Sequence, residues 1–171
     1  MPAKPTMKLY VMRHGPAEEE ADSGVDGDRA LTAVGRRRVR NVAKALLEAG
    51  EQPIHVFTSS LVRAVQTAEI VAVVTNLSDH DDGGTVRVRR ELAPGGAGAQ
   101  LAQRLASEGL RRVMVVGHEP DLSDFVSTLC GAAFGRPFEK AMVVGLQLAS
   151  GGRDAALRFV LDPKTLRVDC T

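Results

Sequence analysis

Short apolar, β-rich runs alternate along this chain with amphipathic helical segments, and that alternation restricts the fold more than any other feature. Residues 8–12 (KLYVM), 54–58 (IHVFT), 86–90 and 112–116 read as strands. Between the first two, Leu31, Val34, Val39, Val42, Ala43, Leu46 and Leu47 recur near helical spacing, with Arg36, Arg37, Arg40 and Lys44 interleaved. The pattern predicts a helix opening at Thr32 and closing at Gly50. Further helices are predicted over 61–74, with Ser59 or Ser60 as N-cap, over 101–108, and from Asp121 as cap to about residue 131. The end of the chain differs. Residues 143–149 and 155–161 read as strands joined by Ser150-Gly151-Gly152-Arg153, a hairpin signal. The expected fold is therefore three-layer α/β/α, with a mainly parallel central sheet covered on both faces and an antiparallel edge from the hairpin.

At 171 residues, 44% hydrophobic and 25% charged, the chain suits one ordinary domain over 1–171, with 1–7 as a flexible lead. Its net charge of +1 gives no general electrostatic case for nucleic acid or an anionic membrane. No stretch approaches the ~20 apolar residues of a spanning helix, and the opening residues lack the apolar run of a signal peptide. Cys130 and Cys170 make no disulfide framework or metal-spaced pair. Cytoplasmic residence is the expectation.

The chemical signal lies just beyond three strands. The first is followed by Arg13-His14-Gly15, the second by Thr58-Ser59-Ser60 with Arg63 one turn into the next helix, and the fourth by Gly117-His118-Glu119. Open α/β sheets bind ligands beyond the carboxyl ends of their strands. Two arginines and two histidines would meet there. Singly, each has a plain structural explanation: Arg13-His14-Gly15 as a polar turn, Arg63 as a surface ion pair with Glu69 or Asp28, and His118 as part of a loop before a capped helix. Their shared position favours a site.

Such a set suits a phosphoryl group, whose charge is spread over three oxygens and whose transfer rests on positioning and electrostatic stabilisation. Arginine offers a planar fork of donors that stays charged. The helix start after Ser60 adds backbone N–H groups and a positive dipole end. Gly15 is expected to turn the backbone and leave room for ligand beside His14. Flanking arginines lower the pKa of His14 and keep its lone pair free to attack phosphorus. No metal or other cofactor is needed by this scheme.

At these residues the chain resembles the histidine phosphatase superfamily, also called phosphoglycerate-mutase-like. Leu9-Tyr10-Val11-Met12-Arg13-His14-Gly15 resembles its N-terminal RHG motif, and Leu31-Thr32-Ala33-Val34-Gly35 the start of its first helix. The segment from Thr58 through Arg63 to Ala68 resembles its second motif, and Val115-Val116-Gly117-His118 its third. The resemblance implies that fold, with His14 as the phosphorylated nucleophile and Arg13, Arg63 and His118 binding the phosphoryl oxygens; Ser59 and Gly15 would line the same pocket. Arg-His-Gly-Pro-Ala, the approach Asp28-Arg29-Ala30-Leu31-Thr32 and the short chain are most similar to the small phosphohistidine phosphatases of the SixA type.

For a proton donor, Glu91 at a strand end is the first candidate, with Asp22, Asp26 and Asp28 as competitors. A phosphohistidine leaves as imidazole, which needs no strong acid. The Arg36-Arg37-Arg38 run reads as a solvated face. His55 and His80 read as incidental, and the spacing of Asp79-His80-Asp81-Asp82 specifies no cation site. Three functions fit: a protein phosphohistidine phosphatase, a phosphomonoesterase for a small phosphorylated metabolite, or a phosphate-binding module without turnover. The intact His14 disfavours the third. A mutase, which must shield its phosphoryl group from water, fits less well.

Overall fold

The computed structural model describes residues 6–79 and 84–171. Seven strands form one sheet: β1 (Met7–Arg13), β2 (His55–Thr58), β3 (Val86–Val88), β4 (Arg112–Gly117), β5 (Val143–Leu148), β6 (Ala155–Leu161) and β7 (Val168–Cys170). Their order is β3-β2-β4-β1-β5-β6-β7. The block β3-β2-β4-β1 is parallel, and β5, β6 and β7 extend it antiparallel. The expected antiparallel edge is thus present and one strand wider than the hairpin. Four helices complete the fold: α1 (Ala33–Glu48), α2 (Val62–Val74), α3 (Gly98–Ser107) and α4 (Asp121–Cys130).

Chain direction explains the layers. The crossovers β1-α1-β2 and β2-α2-β3 step one way along the sheet, and β3-α3-β4 steps back. Right-handed crossovers then require α3 on the opposite face from α1 and α2. The strands alternate accordingly. Leu9 and Val11 of β1 and Val113 and Val115 of β4 join Leu101, Leu105, Phe125 and Val126 in one core. Tyr10 and Met12, with Met114 and Val116, join Val39, Val42, Leu46, Ala64 and Val71 in the other. A sheet buried on both faces needs such continuous apolar runs, which is why the strands were legible. Among the described residues no helix is long and apolar enough to cross a membrane.

Several boundaries differ from expectation. Met7 is buried and begins β1, so the flexible lead is not 1–7; residues 1–5 lie outside the described residues, as do His80 and the centre of the acidic loop around it. Thr32 caps α1 as expected, accepting from the Gly35 N–H at 2.9 Å. Neither serine caps α2: Leu61 is its N-cap, and the Ser59 hydroxyl is engaged elsewhere. Asp121 lies inside the first turn of α4 and accepts from Gly95 N–H, 2.7 Å away. Glu91 sits in a 3-10 turn, Arg90–Leu92, beyond the short β3.

One polar cluster was invisible in the sequence. Glu51, after α1, accepts hydrogen bonds from the Tyr10 hydroxyl and Arg158 Nη2, each 2.6 Å long, and from Lys8 Nζ at 3.5 Å. Its side chain is 10% exposed. Burial raises the Glu51 pKa, but the hydrogen bonds from Arg158 and Tyr10 outweigh it, and the net shift is down from 4.5. Its contribution to stability is therefore complete above the unfolded value and lost as pH falls through the lower folded one. Glu51→Ala strands the Arg158 charge and the Tyr10 hydroxyl, and is expected to cost about 3 kcal/mol in denaturant unfolding at pH 7. That penalty should shrink in acid. An unchanged midpoint at pH 7 would show that the cluster is not structural.

Candidate active site

Parallel pairing builds the site. Arg13 lies opposite Gly117 and Thr58 opposite Val116, so β1, β4 and β2 end level with one another. The ladder runs one residue further on each side: His14 N–H donates to Gly117 O and Ser59 N–H to Val116 O, both at 3.2 Å. His14 and His118 consequently stand with ring centroids 5.1 Å apart, tilted by 47°. His14, Arg63, His118 and Ser59 are all buried.

His14 Nδ1 lies 2.7 Å from the carbonyl oxygen of Gly15. A carbonyl only accepts, so Nδ1 carries the proton and the lone pair resides on Nε2. Burial is the largest influence on this imidazole. With the charges of His118, Arg63 and Arg13, it overrides the raising effect of the Gly15 carbonyl and pushes the pKa down to about 3. His118 is pushed down to about 4, by burial first and then Arg63. Its Nε2 shares a 2.6 Å hydrogen bond with Ser59 Oγ.

The arginines are held from behind. Arg13 Nη1 donates to the carbonyl of Phe138 at 2.8 Å. Arg63 Nη1 and Nη2 donate to Asp26 O and Oδ2, at 3.0 and 3.2 Å. The buried Nε of each arginine and His118 Nδ1 make no hydrogen bond to a described residue. Unpaired buried donors are costly unless a ligand receives them. A buried pocket with two guanidinium groups and two neutral imidazoles suits a phosphoryl group. Among the described residues, no group of three or more His, Cys, Asp or Glu side chains is arranged to hold a metal ion.

Two sequence expectations need correction. Gly15 does not leave room for ligand: a Cβ there would lie 2.6 Å from Val39 Cγ2, and the Gly15 N–H donates to Thr67 Oγ1 at 3.0 Å. Its smallness serves packing on α1. Glu91 is not poised as an acid. It ion-pairs with Arg104 at 2.8 Å, and its own backbone N–H and then Arg104 lower its pKa. Asp26 is likewise lowered, by Arg29 and then Arg63. Thr67 was overlooked. It stands one helical turn after Arg63, on the same face of α2, and that spacing could have revealed it.

Gly35 governs the loop that follows His14. A Cβ at Gly35 would lie 2.0 Å from the carbonyl oxygen of Pro16. Gly35→Ala must therefore displace the segment after His14. It is expected to cut kcat/KM at least tenfold while costing roughly 1–3 kcal/mol of stability. Kinetics beside an unfolding curve would check this, and wild-type turnover would contradict it. In the free protein, both His14 and His118 should remain neutral at pH 5, as read by imidazole NMR titration. Because the unfolded state binds more protons between the folded values and the ordinary 6.5, these residues make stability fall as pH drops below 6.5. Titration of both rings near 6.5 would contradict the assigned environment.

Residues 9–84 match the family model of the histidine phosphatase superfamily, branch 1. An uncharacterized protein of Picosynechococcus sp. is 38% identical over 149 residues, covering 82% of this chain and 85% of its own length. The phosphohistidine phosphatase SixA of Escherichia coli is 30% identical over 165 residues, covering 95% and 98%. A solved structure of the protein histidine phosphatase SixA complexed with tungstate superposes with a TM-score of 0.84 at 28% identity, covering 94% of this chain and all of that one. With these matches, and with Arg13, His14 and His118 at level strand ends and Arg63 in the first turn of α2, the chain belongs to the histidine phosphatase superfamily.

Proposed function

We propose that this protein removes phosphoryl groups from phosphohistidine on a protein partner, through a covalent intermediate on His14. The observation that carries the reading is the Nδ1–H donated by His14 to the Gly15 carbonyl, which leaves the Nε2 lone pair free in an arginine-lined pocket. Nε2 attacks phosphorus as the substrate N–P bond breaks, and the departing imidazole nitrogen takes the bonding pair and a proton from solvent. Water then attacks the phosphorylated His14, the new N–P bond breaks, and phosphate leaves. Arg13, Arg63 and His118 hold the phosphoryl oxygens throughout, the unpaired Nε–H groups of the two arginines giving donors where charge is greatest. Ser59 orients His118, and Thr67 fixes the loop after His14.

The carboxylates favour a nitrogen leaving group over an alkoxide. An alkoxide needs an acid beside it, and two of the sequence candidates are favoured in the ionised form, Glu91 by its own backbone N–H and then Arg104, and Asp26 by Arg29 and then Arg63. Imidazole needs none. Ionised Glu91 suits instead the acceptance of a proton from water in the hydrolytic step. The similarity to the phosphohistidine phosphatase SixA points the same way.

Hydrolysis should survive a strong chelator, because this scheme uses no metal. His14→Ala should lower turnover at least about a thousandfold, and Arg63→Ala about a hundredfold. The test compares kcat/KM for a phosphohistidine-bearing protein with that for sugar phosphates. Preference for a sugar phosphate would replace the assignment with a small-molecule phosphomonoesterase. Phosphate binding without turnover of either would make the chain a binding module.

A further inference from the structure

Beside the phosphoryl pocket lies a cavity of about 330 Å³, walled by the turn containing Glu91, the loop 93–97, and the first turns of α3 and α4. His118 belongs to both. It is 4% exposed, lines this cavity, and has a buried Nδ1 without a hydrogen-bond partner among the described residues. The cavity thus adjoins the pocket where the phosphoryl group would be held. Its character is opposite. Among the described residues no arginine or lysine lines it; Glu91, Asp121 and Asp124 do, with Leu92, Leu122 and Phe125 as apolar wall.

We infer that this cavity receives the leaving group and selects one that departs as a cation, and that Asp121 and Asp124 make the selection. The inference rests on the phosphatase reading and narrows its substrate class to phosphoramidates, in which phosphorus is bonded to the nitrogen of an imidazole or amine. Magnitudes support the sign. The starts of α3 and α4 each contribute about half a positive charge, against three carboxylates of which Arg104 offsets one. Asp121 also holds the Gly95 N–H, which fixes the loop against α4, while Asp124 makes no ion pair with a described residue. The cavity wall is rigidly set: a Cβ at Gly98 would meet the Phe125 ring at 2.8 Å, and one at Gly96 the Glu91 carbonyl oxygen at 2.3 Å. When the N–P bond breaks, the nitrogen keeps the electron pair and takes a proton from solvent, giving neutral imidazole or amine; a second proton, carried beforehand on the other ring nitrogen of an imidazole or taken from solvent by an amine, makes it a cation. The resulting imidazolium or ammonium then faces carboxylates across a partly dehydrated space. A leaving group with a further carboxylate or phosphate would be repelled by the same groups.

Paired non-hydrolysable probes test this by binding alone: benzylphosphonates bearing a para aminomethyl or a para carboxylate group, titrated calorimetrically into the whole protein near pH 7. The aminomethyl compound should bind about tenfold more tightly. The ratio should fall toward one in Asp124→Asn, and further in the double variant with Asp121→Asn. Asp124→Asn alone keeps the Gly95 tether, so its result does not depend on how the loop tolerates the second change. Equal affinities in wild type, or a ratio unmoved in Asp124→Asn, would overturn the inference. The phosphatase reading is judged separately, by hydrolysis of phosphohistidine: a protein that turns it over without charge preference refutes only the cavity's role. One that prefers the cationic probe yet hydrolyses nothing refutes only the catalytic reading.

Discussion

The parallel pairing of β1 with β4 is the contact on which the rest of this structure depends. Its register sets Arg13 opposite Gly117, so His14 and His118, more than a hundred residues apart in sequence, leave the sheet side by side. A shift by one residue would exchange the faces of β1, moving Tyr10 and Met12 out of one core and Leu9 and Val11 out of the other. Both cores therefore fix the register, and the register fixes the site. The precision of the candidate site's geometry derives from apolar packing well behind it.

The site itself works against stability. His14 and His118 are buried as neutral bases, burial and then the nearby Arg63 charge lower the pKa of Arg13, and the Nε of both arginines and Nδ1 of His118 make no hydrogen bond to a described residue. Groups arranged this way favour a polyanion, because its oxygens meet the donors and its charge offsets the guanidinium groups. The far end of the sheet supplies the opposite arrangement. There Glu51 gathers Tyr10, Arg158 and Lys8 into a cluster that ties α1 to β1 and β6.

What could be read from sequence follows from how local each cause is. Strands buried on both faces leave unbroken apolar runs, and α1 carries its cap and periodicity on its surface, so layers and order were legible. The residues at strand ends were legible for the same reason, since Arg13, His14 and His118 directly follow such runs. Contacts between remote segments left no local trace. The carbonyl of Phe138 behind Arg13, the diversion of Ser59 from capping to His118, and the pairing of Glu91 with Arg104 all depend on tertiary approach. Gly15 was misread because its Cβ direction toward Val39 is a property of packing, not of turn chemistry.

The claim at the centre of this account is that His14 carries the phosphoryl group on Nε2. Rapid quenching of the protein during turnover of a phosphohistidine substrate, followed by phosphorus and nitrogen NMR of the labelled chain, measures it directly. The account predicts an acid-labile, base-stable phosphate bonded to Nε2 of His14, with Nδ1 still protonated and donating to Gly15. A phosphoenzyme absent during demonstrable turnover, or one bonded at His118 or at Nδ1 of His14, would contradict it.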